Sequence, residues 1–267
     1  MIKSSRSLRA AVLFLGYGFL YVPIVCLMAF SFNDSPMMTS WTGFSWRWYH
    51  SLFNDQALLN AAWLSLRIAL LTATAATIIG TWAGYVLARM GRFRGFALYV
   101  GMLSAPLVIP EVVLGIALLL MFVELGDLFG WPSGNGIFTI WVGHVTLCMA
   151  YVAVVIQSRI RDLDRSLEEA ALDLGATPLK VFFSITLPLI APALAAAWLL
   201  AFTLSLDDVV IASFLSGPGY TTLPLEVFSR VRLGVKPEIN ALASIFIVVV
   251  GICVLVANRI QRRKESI

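Results

Sequence analysis

Charged residues are scarce in this sequence. Asp, Glu, Lys and Arg make up 13% of its 267 residues, whereas hydrophobic residues make up 60% and the mean hydropathy is +0.88. A typical soluble domain carries about 25% charged residues, so the composition excludes that class. The bilayer is therefore the expected solvent of most of the chain.

Two patterns that carry chemistry are also missing. The only histidines, His50 and His144, are too few and too far apart to suggest a metal cluster or an intramembrane enzyme. No G-x-x-x-x-G-K-[ST] phosphate loop occurs, so the chain cannot hold nucleotide by that route. We expect no catalytic residue, no metal and no cofactor. His144, alone on an apolar helix, is interpreted either as a satisfied packing residue or as a polar contact in a pathway.

Long apolar stretches are what the sequence does contain. A spanning helix needs about 20 mostly apolar residues, and six stretches reach that length: 10–30, 61–88, 96–123, 137–157, 189–213 and 239–258. We predict an all-α polytopic membrane protein with six transmembrane helices. The expected divisions are a first helix with an aromatic outer segment, a membrane domain and a basic tail, which cover 1–59, 60–257 and 258–267.

Basic residues are distributed unevenly between the two sides of the membrane. Of 19 such residues, 14 lie at the two termini and in the loops after the second and fourth stretches. Basic residues concentrate on the cytoplasmic side, so both termini are predicted to be cytoplasmic in a bacterial inner membrane. The other side and the membrane carry 5 basic residues against 9 acids, a net charge of −4. This balance favours a cation arriving from outside and does not indicate nucleic acid as a partner.

Two prolines, Pro106 and Pro110, interrupt the third stretch. Because proline has no amide hydrogen, we predict that the helix bends or breaks there. Irregular backbone at membrane depth is tolerated where it lines a cavity, so this stretch is expected to border a pathway.

An aromatic segment that includes Trp48 lies between the first and second stretches. It has two interpretations, an interfacial aromatic belt or an aromatic wall beside a cationic substrate.

The loop between the fourth and fifth stretches is long and polar. Ser166, followed three residues later by Glu169, predicts a capping box at the start of a short amphipathic helix. Gly175 suits the left-handed position that ends such a helix. Thr177 and Pro178 predict the start of a second helix. The loop is therefore predicted to form a helix, a glycine turn and another helix.

The same loop resembles the cytoplasmic motif of binding-protein-dependent ABC importer permeases. Glu169-Ala170-Ala171, three residues, Gly175, nine residues and Ile185-Thr186-Leu187-Pro188 match that motif at every position. The resemblance covers about 60–257 and implies that the short helix is a coupling helix that docks into the ATPase subunit. The coupling residues that it implies are Glu168, Glu169, Ala170, Ala171, Leu174 and Gly175. It implies as partners a second, similar permease chain, two ATP-binding ATPase subunits and a periplasmic binding protein.

Glu111, Asp207 and Asp208 fall inside predicted spans, where a carboxylate is costly unless it faces water or a partner. They are interpreted as pathway acids or as structural acids paired with arginines: Arg67, Arg230 or Arg232. Adjacent helix positions point about 100 degrees apart, so one of the two aspartates is expected to line the pathway while the other caps or pairs within the bundle.

The segment 202–210 resembles the polyamine branch of these permeases, closest to the putrescine importers. The predicted pathway residues are the intramembrane acids Glu111, Asp207 and Asp208, together with Ser205, which lies one helical step from Asp208, and Trp48 of the aromatic segment. We predict a permease subunit of an ATP-driven importer of putrescine, or of spermidine, that forms half of the translocation pathway. The alternative is a proton-coupled secondary transporter or cation channel, which would work alone. The capped loop argues against it.

Overall fold

The computed structural model describes residues 2–35, 40–233 and 237–248, and within them every regular element is a helix. A π-helical turn over Phe182–Thr186 separates two of these helices. The α-helices, in chain order, are α1 (Ile2–Phe30), α2 (Arg47–Asn54), α3 (Gln56–Arg89), α4 (Phe96–Val108), α5 (Glu111–Phe129), α6 (Ile137–Arg161), α7 (Ser166–Asp173), α8 (Pro178–Val181), α9 (Leu187–Asp207), α10 (Val210–Leu215), α11 (Leu223–Leu233) and α12 (Pro237–Val248).

The all-α membrane fold is confirmed, but the count of six spans is not. Five helical segments of the described residues are long and apolar enough to cross a membrane. The third predicted stretch is divided between the shorter α4 and the longer α5. The sixth stretch is represented by α12, and its remainder, from residue 249 onward, lies outside the described residues.

The described residues group into two compact units. One unit lies within Met1–Leu59 and Val227–Ile267, and the other comprises Asn60–Glu226. The second unit contains the loop between the fourth and fifth spans and the predicted pathway residues Glu111, Ser205, Asp207 and Asp208.

Helix α6 forms the centre of the second unit. Its Val152 and Ile156 are fully buried and belong to a core cluster with residues of α3 and α9. Gly80 and Gly84 of α3 lie against the α6 backbone, where an added Cβ would approach carbonyl oxygens of α6 to 2.8 and 2.7 Å. Small residues of this kind let membrane helices pack closely, so α3 lies directly against α6, and α9 joins both in the same core cluster.

In the first unit, Asp55 caps the N-terminus of α3. Its Oδ1 atom accepts the backbone N–H groups of Ala57 and Leu58, each at 3.1 Å. Both carboxylate oxygens also accept from the guanidinium of Arg230 on α11. The hydrogen bonds from Arg230 lower the pKa of Asp55 below its ordinary value.

Candidate functional site

The predicted capping box at the start of α7 is wrong. Ser166 is the first helical residue, and the preceding Arg165 makes no side-chain cap. The Oδ1 atom of Asp164 accepts the Ser166 N–H at 2.9 Å instead, and this hydrogen bond lowers the pKa of Asp164. The helix starts one residue earlier than predicted because a carboxylate two positions upstream already satisfies its first N–H group.

The predicted glycine turn at the end of α7 is confirmed. Gly175 has a φ of +84° and donates its N–H to the carbonyl of Leu172 at 2.9 Å. The N–H of Ala176 reaches the carbonyl of Ala171 at 3.0 Å. Together these bonds form a Schellman motif. The side chain of Thr177 then caps α8, with proline in its first position, as predicted.

The second helix of the loop does not stop before the fifth span. The chain continues from α8 through the π turn directly into α9. Pro188 has no amide hydrogen to offer the carbonyl of Ser184, and a wider turn accommodates such a gap. The N–H of Leu187 bonds the carbonyl of Phe182, five residues back.

The two adjacent glutamates of α7 have different surroundings. Glu169 is exposed, as are Ala170 and Leu174, the last with 89% of its surface accessible. The side chain of Glu168 is only 14% exposed and is paired with Arg89 at the end of α3. No residue of α7 is buried, so this helix presents an open face that carries most of the motif.

The third span breaks at the position that the prolines predict. Helix α4 ends at Val108, Ile109 is extended with φ −74° and ψ 133°, and α5 begins after Pro110. Glu111 is the first residue of α5, and it is exposed on this chain.

The fifth span also breaks, which the continuous prediction of 189–213 missed. Helix α9 ends at Asp207, and Asp208 is extended with ψ 127° before α10 begins. The Oδ1 atom of Asp208 accepts the N–H of Ala212 in the first turn of α10 at 2.9 Å. Asp207 is exposed. The neighbouring aspartates therefore differ: Asp208 caps a helix inside the bundle, and Asp207 stands on the surface of the chain.

His144 joins Ser205 and Asp208 into a buried polar group. Its Nδ1 atom lies 2.8 Å from the Ser205 hydroxyl. Its Nε2 atom lies 3.3 Å from Oδ1 of Asp208, an ion-pair distance without the alignment of a hydrogen bond. The Ser205 hydroxyl thus already has a partner, and its role in the pathway stays a prediction. The sequence contains no local signal that these three residues meet.

The arginines considered as partners of the intramembrane acids have other neighbours. The guanidinium of Arg67 lies 5.8 Å from the centre of the Trp63 ring, and that of Arg232 lies 4.4 Å from the centre of the Phe228 ring. Arg230 binds Asp55. The basic side chain that lies beside Asp208 is that of His144 instead.

Trp48 belongs to the first unit and is 8% exposed. Its indole Nε1 donates to the carbonyl of Asn33 at 2.6 Å, and the guanidinium of Arg47 lies 4.4 Å from its ring centre. These contacts account for its burial, and the wall of aromatic residues beside a substrate stays a prediction.

Residues 76–266 match the family model described as binding-protein-dependent transport system inner membrane component. The putrescine transport system permease protein PotI of Escherichia coli (strain K12) is 58% identical over 258 residues, covering 97% of this chain and 92% of that protein. The spermidine/putrescine transport system permease protein PotC of Haemophilus influenzae is 44% identical over 259 residues, covering 97% and 98%. The resemblance stated from the loop motif is confirmed.

Among solved structures, a bacterial ABC transporter involved in the import of the acidic polysaccharide alginate contains a similar chain. The TM-score is 0.74 at 18% identity, over 97% of this chain and 96% of that one. A second structure, of the alginate transporter in complex with an alginate pentasaccharide-bound periplasmic protein, gives 0.73 at 18% identity, over 98% and 94%. At these identities the likeness establishes the ABC permease fold alone.

Proposed function

This chain belongs to the family of binding-protein-dependent transport system inner membrane components, and on that premise we propose that it carries a polyamine across the bacterial inner membrane. It is a multi-pass, non-catalytic permease subunit of an ABC importer, and ATP is hydrolysed by separate subunits. Putrescine is the proposed substrate and spermidine the second candidate, because the relatives at 58% and 44% identity carry those names.

Two exposed carboxylates at helix breaks carry the substrate proposal. Asp207 ends α9 and Glu111 begins α5, so each stands where a membrane helix is interrupted. The C-terminal end of α9 adds the negative end of a helix dipole to the charge of Asp207, which favours a cation. A polyamine has ammonium groups several ångströms apart, and two separate acids suit it better than one.

The exposed face of α7 is the proposed contact with the ATPase. Glu169, Ala170, Leu174 and Gly175 are all exposed and uncovered in this chain, and an eight-residue helix is only marginally stable alone in water. Closure of the ATPase subunits would push this helix and switch the bundle between its inward-open and outward-open states. No covalent chemistry by this chain is involved.

We further propose the orientation and the partners. Both termini face the cytoplasm because 14 of 19 basic residues lie on their side of the membrane. The family implies a second permease, ATPase subunits and a binding protein. The specific proposal is a similar second permease chain, two ATPase subunits and a periplasmic polyamine-binding protein.

Reconstitution of the whole importer in proteoliposomes tests the substrate proposal. Uptake of labelled putrescine and spermidine is measured with ATP, without ATP, and with a proton gradient alone. We expect uptake only with ATP and the binding protein. Uptake driven by the proton gradient alone would support the alternative function of a secondary transporter, which the family match disfavours. ATP-driven import of an anion would overturn the assignment of a polyamine as substrate.

The docking proposal is tested with Glu169→Lys, which reverses the charge on the exposed face. We expect the chain to insert normally, to lose the co-purifying ATPase and to transport little. Asp162→Lys, an equal change at an exposed residue just before α7, is the matched control. Normal ATPase association in well-expressed Glu169→Lys would refute the assignment of α7 as the coupling helix.

A further inference from the structure

Glu168 of α7 is attached to the end of α3. Its Oε2 atom lies 2.9 Å from Nε of Arg89, and its Oε1 atom accepts a hydrogen bond from Nη2 at 3.2 Å. The side chain of Arg89 is 9% exposed and that of Glu168 is 14% exposed. Arg89 also donates to the carbonyl of Leu163 at 3.5 Å. An ion pair with two contacts and little exposure holds its geometry better than a surface pair does.

The same carboxylate is attached to the start of the fifth span. Oε1 of Glu168 accepts a hydrogen bond from the hydroxyl of Thr186 at 2.9 Å. Thr186 is fully buried and is the last residue of the π turn. One side chain of α7 therefore joins the second span and the fifth span.

The π turn is held by aromatic side chains. The Phe182 ring stacks on Trp82 with ring centres 4.7 Å apart, and it meets Tyr85 edge to face at 5.0 Å. Both partners lie on the last two turns of α3. A π turn inside a helix is a local departure from the α-helical hydrogen-bond pattern and is often found at functional sites, so α9 has a defined point at which its direction can change.

We propose that Glu168 is a positioning residue that transmits the movement of α7 to the fifth span through Thr186, with the π turn as the bending point. The proposal rests on the coupling role proposed for α7. It gives the two glutamates different roles, because Glu169 faces the ATPase and Glu168 faces the bundle. The ATPase then moves α7, and the Glu168 carboxylate pulls or pushes the π turn while Arg89 keeps it aligned with α3.

A pair of substitutions at Thr186 tests the link. Thr186→Val keeps nearly the same shape and removes the hydroxyl, whereas Thr186→Ser keeps the hydroxyl and removes a methyl group. In the reconstituted importer, ATP hydrolysis and polyamine uptake are measured together. We expect Thr186→Val to keep the ATPase bound and active but to lower the polyamine moved per ATP by roughly tenfold, the effect of losing a hydrogen bond to a charged group. Thr186→Ser is expected to stay near the parent ratio.

The opposite outcomes overturn the proposal. If Thr186→Ser is impaired and Thr186→Val is not, Thr186 acts by packing. If both keep the parent ratio, the hydrogen bond transmits nothing.

Should Thr186→Val fail to insert, two substitutions of Glu168 decide. Glu168→Gln keeps a side-chain oxygen that can accept the Thr186 hydroxyl, whereas Glu168→Leu has no acceptor. We expect Glu168→Leu to lower the polyamine moved per ATP and Glu168→Gln to stay nearer the parent ratio, and equal ratios in the two variants would refute the link. A further outcome is that the ATPase fails to co-purify with Glu169→Lys while Thr186→Val moves as much polyamine per ATP as the parent. That result would refute this inference alone and leave the docking proposal intact.

Discussion

The Nε2 atom of His144 lies 3.3 Å from Oδ1 of Asp208, and this contact sits at the point where the fifth span breaks. The two side chains are only 1% and 6% exposed. Asp208 uses the same oxygen to cap α10, so the histidine supports a carboxylate that both ends the regular helix and starts the next one. A buried carboxylate without such partners would be strongly disfavoured.

We predict that His144→Leu destabilises the protein because it leaves Asp208 and Ser205 without their buried partner. The expected cost is roughly 1 to 3 kcal/mol, measured as a lower midpoint of thermal unfolding in detergent. The double variant His144→Leu with Asp208→Asn should lose less than the sum of the single changes, because the uncompensated charge is gone. Thr146→Val, also on α6 and bonded only within its own helix turn at the carbonyl of Val142, is the control. Strict additivity would show that the pair is not coupled.

How much of this site could be predicted depends on whether its cause is local. The break at Pro110 and the turn at Gly175 follow from one residue's own backbone, and both are present. The cap of α7 is predicted wrongly because Asp164 and Ser166, two positions apart, are both residue types that cap helices. The structure uses Asp164. At the break in the fifth span, Asp208 contacts His144, which belongs to another helix, and no local sequence pattern indicates that contact.

Substitutions of Asp207 and Asp208 are predicted to have different effects. Asp207→Asn removes an exposed charge, so thermal stability should stay at the parent value while the polyamine concentration for half-maximal uptake rises by roughly tenfold or more. The main effect of Asp208→Asn should be a loss of thermal stability, because the Asp208 side chain is buried and caps α10. Asp127→Asn, at an exposed acid near the end of α5, controls for the loss of one negative charge. Parent-like uptake in both Asp207→Asn and Glu111→Gln would mean that these acids do not bind the substrate.

Gly175 is predicted to be needed for its backbone conformation and not for space. No atom lies within 4 Å of the position where a Cβ would be added, but the φ of +84° disfavours side chains. Gly175→Val should therefore cost roughly 1 to 2 kcal/mol and uncouple hydrolysis from uptake. Gly175→Asn is the matched variant, because asparagine tolerates the left-handed region. Equal transport by the valine and asparagine variants at equal expression would contradict the need for this turn.

The ion pair between Asp55 and Arg230 is predicted to make stability depend on pH. The pKa of Asp55 is lowered in the folded protein, chiefly by hydrogen bonds from Arg230. Its contribution is therefore complete above the unfolded pKa of about 4 and is lost as the pH falls through the lower folded value. Asp55→Asn keeps the cap on α3, since asparagine caps about as well as aspartate, and removes only the charge.

At neutral pH we expect Asp55→Asn to lower the thermal midpoint by roughly 2 to 4 °C, the shift that corresponds to about 1 kcal/mol. The difference from the parent should shrink as the pH is lowered below about 4. Asp34→Asn is the control, because Asp34 lies 3.8 Å from Arg47 with both side chains more than half exposed, 52% and 54%. That pair should contribute little at any pH. The ion pair would be ruled out as the cause if the effect of Asp55→Asn were unchanged at low pH, or matched by that of Asp34→Asn.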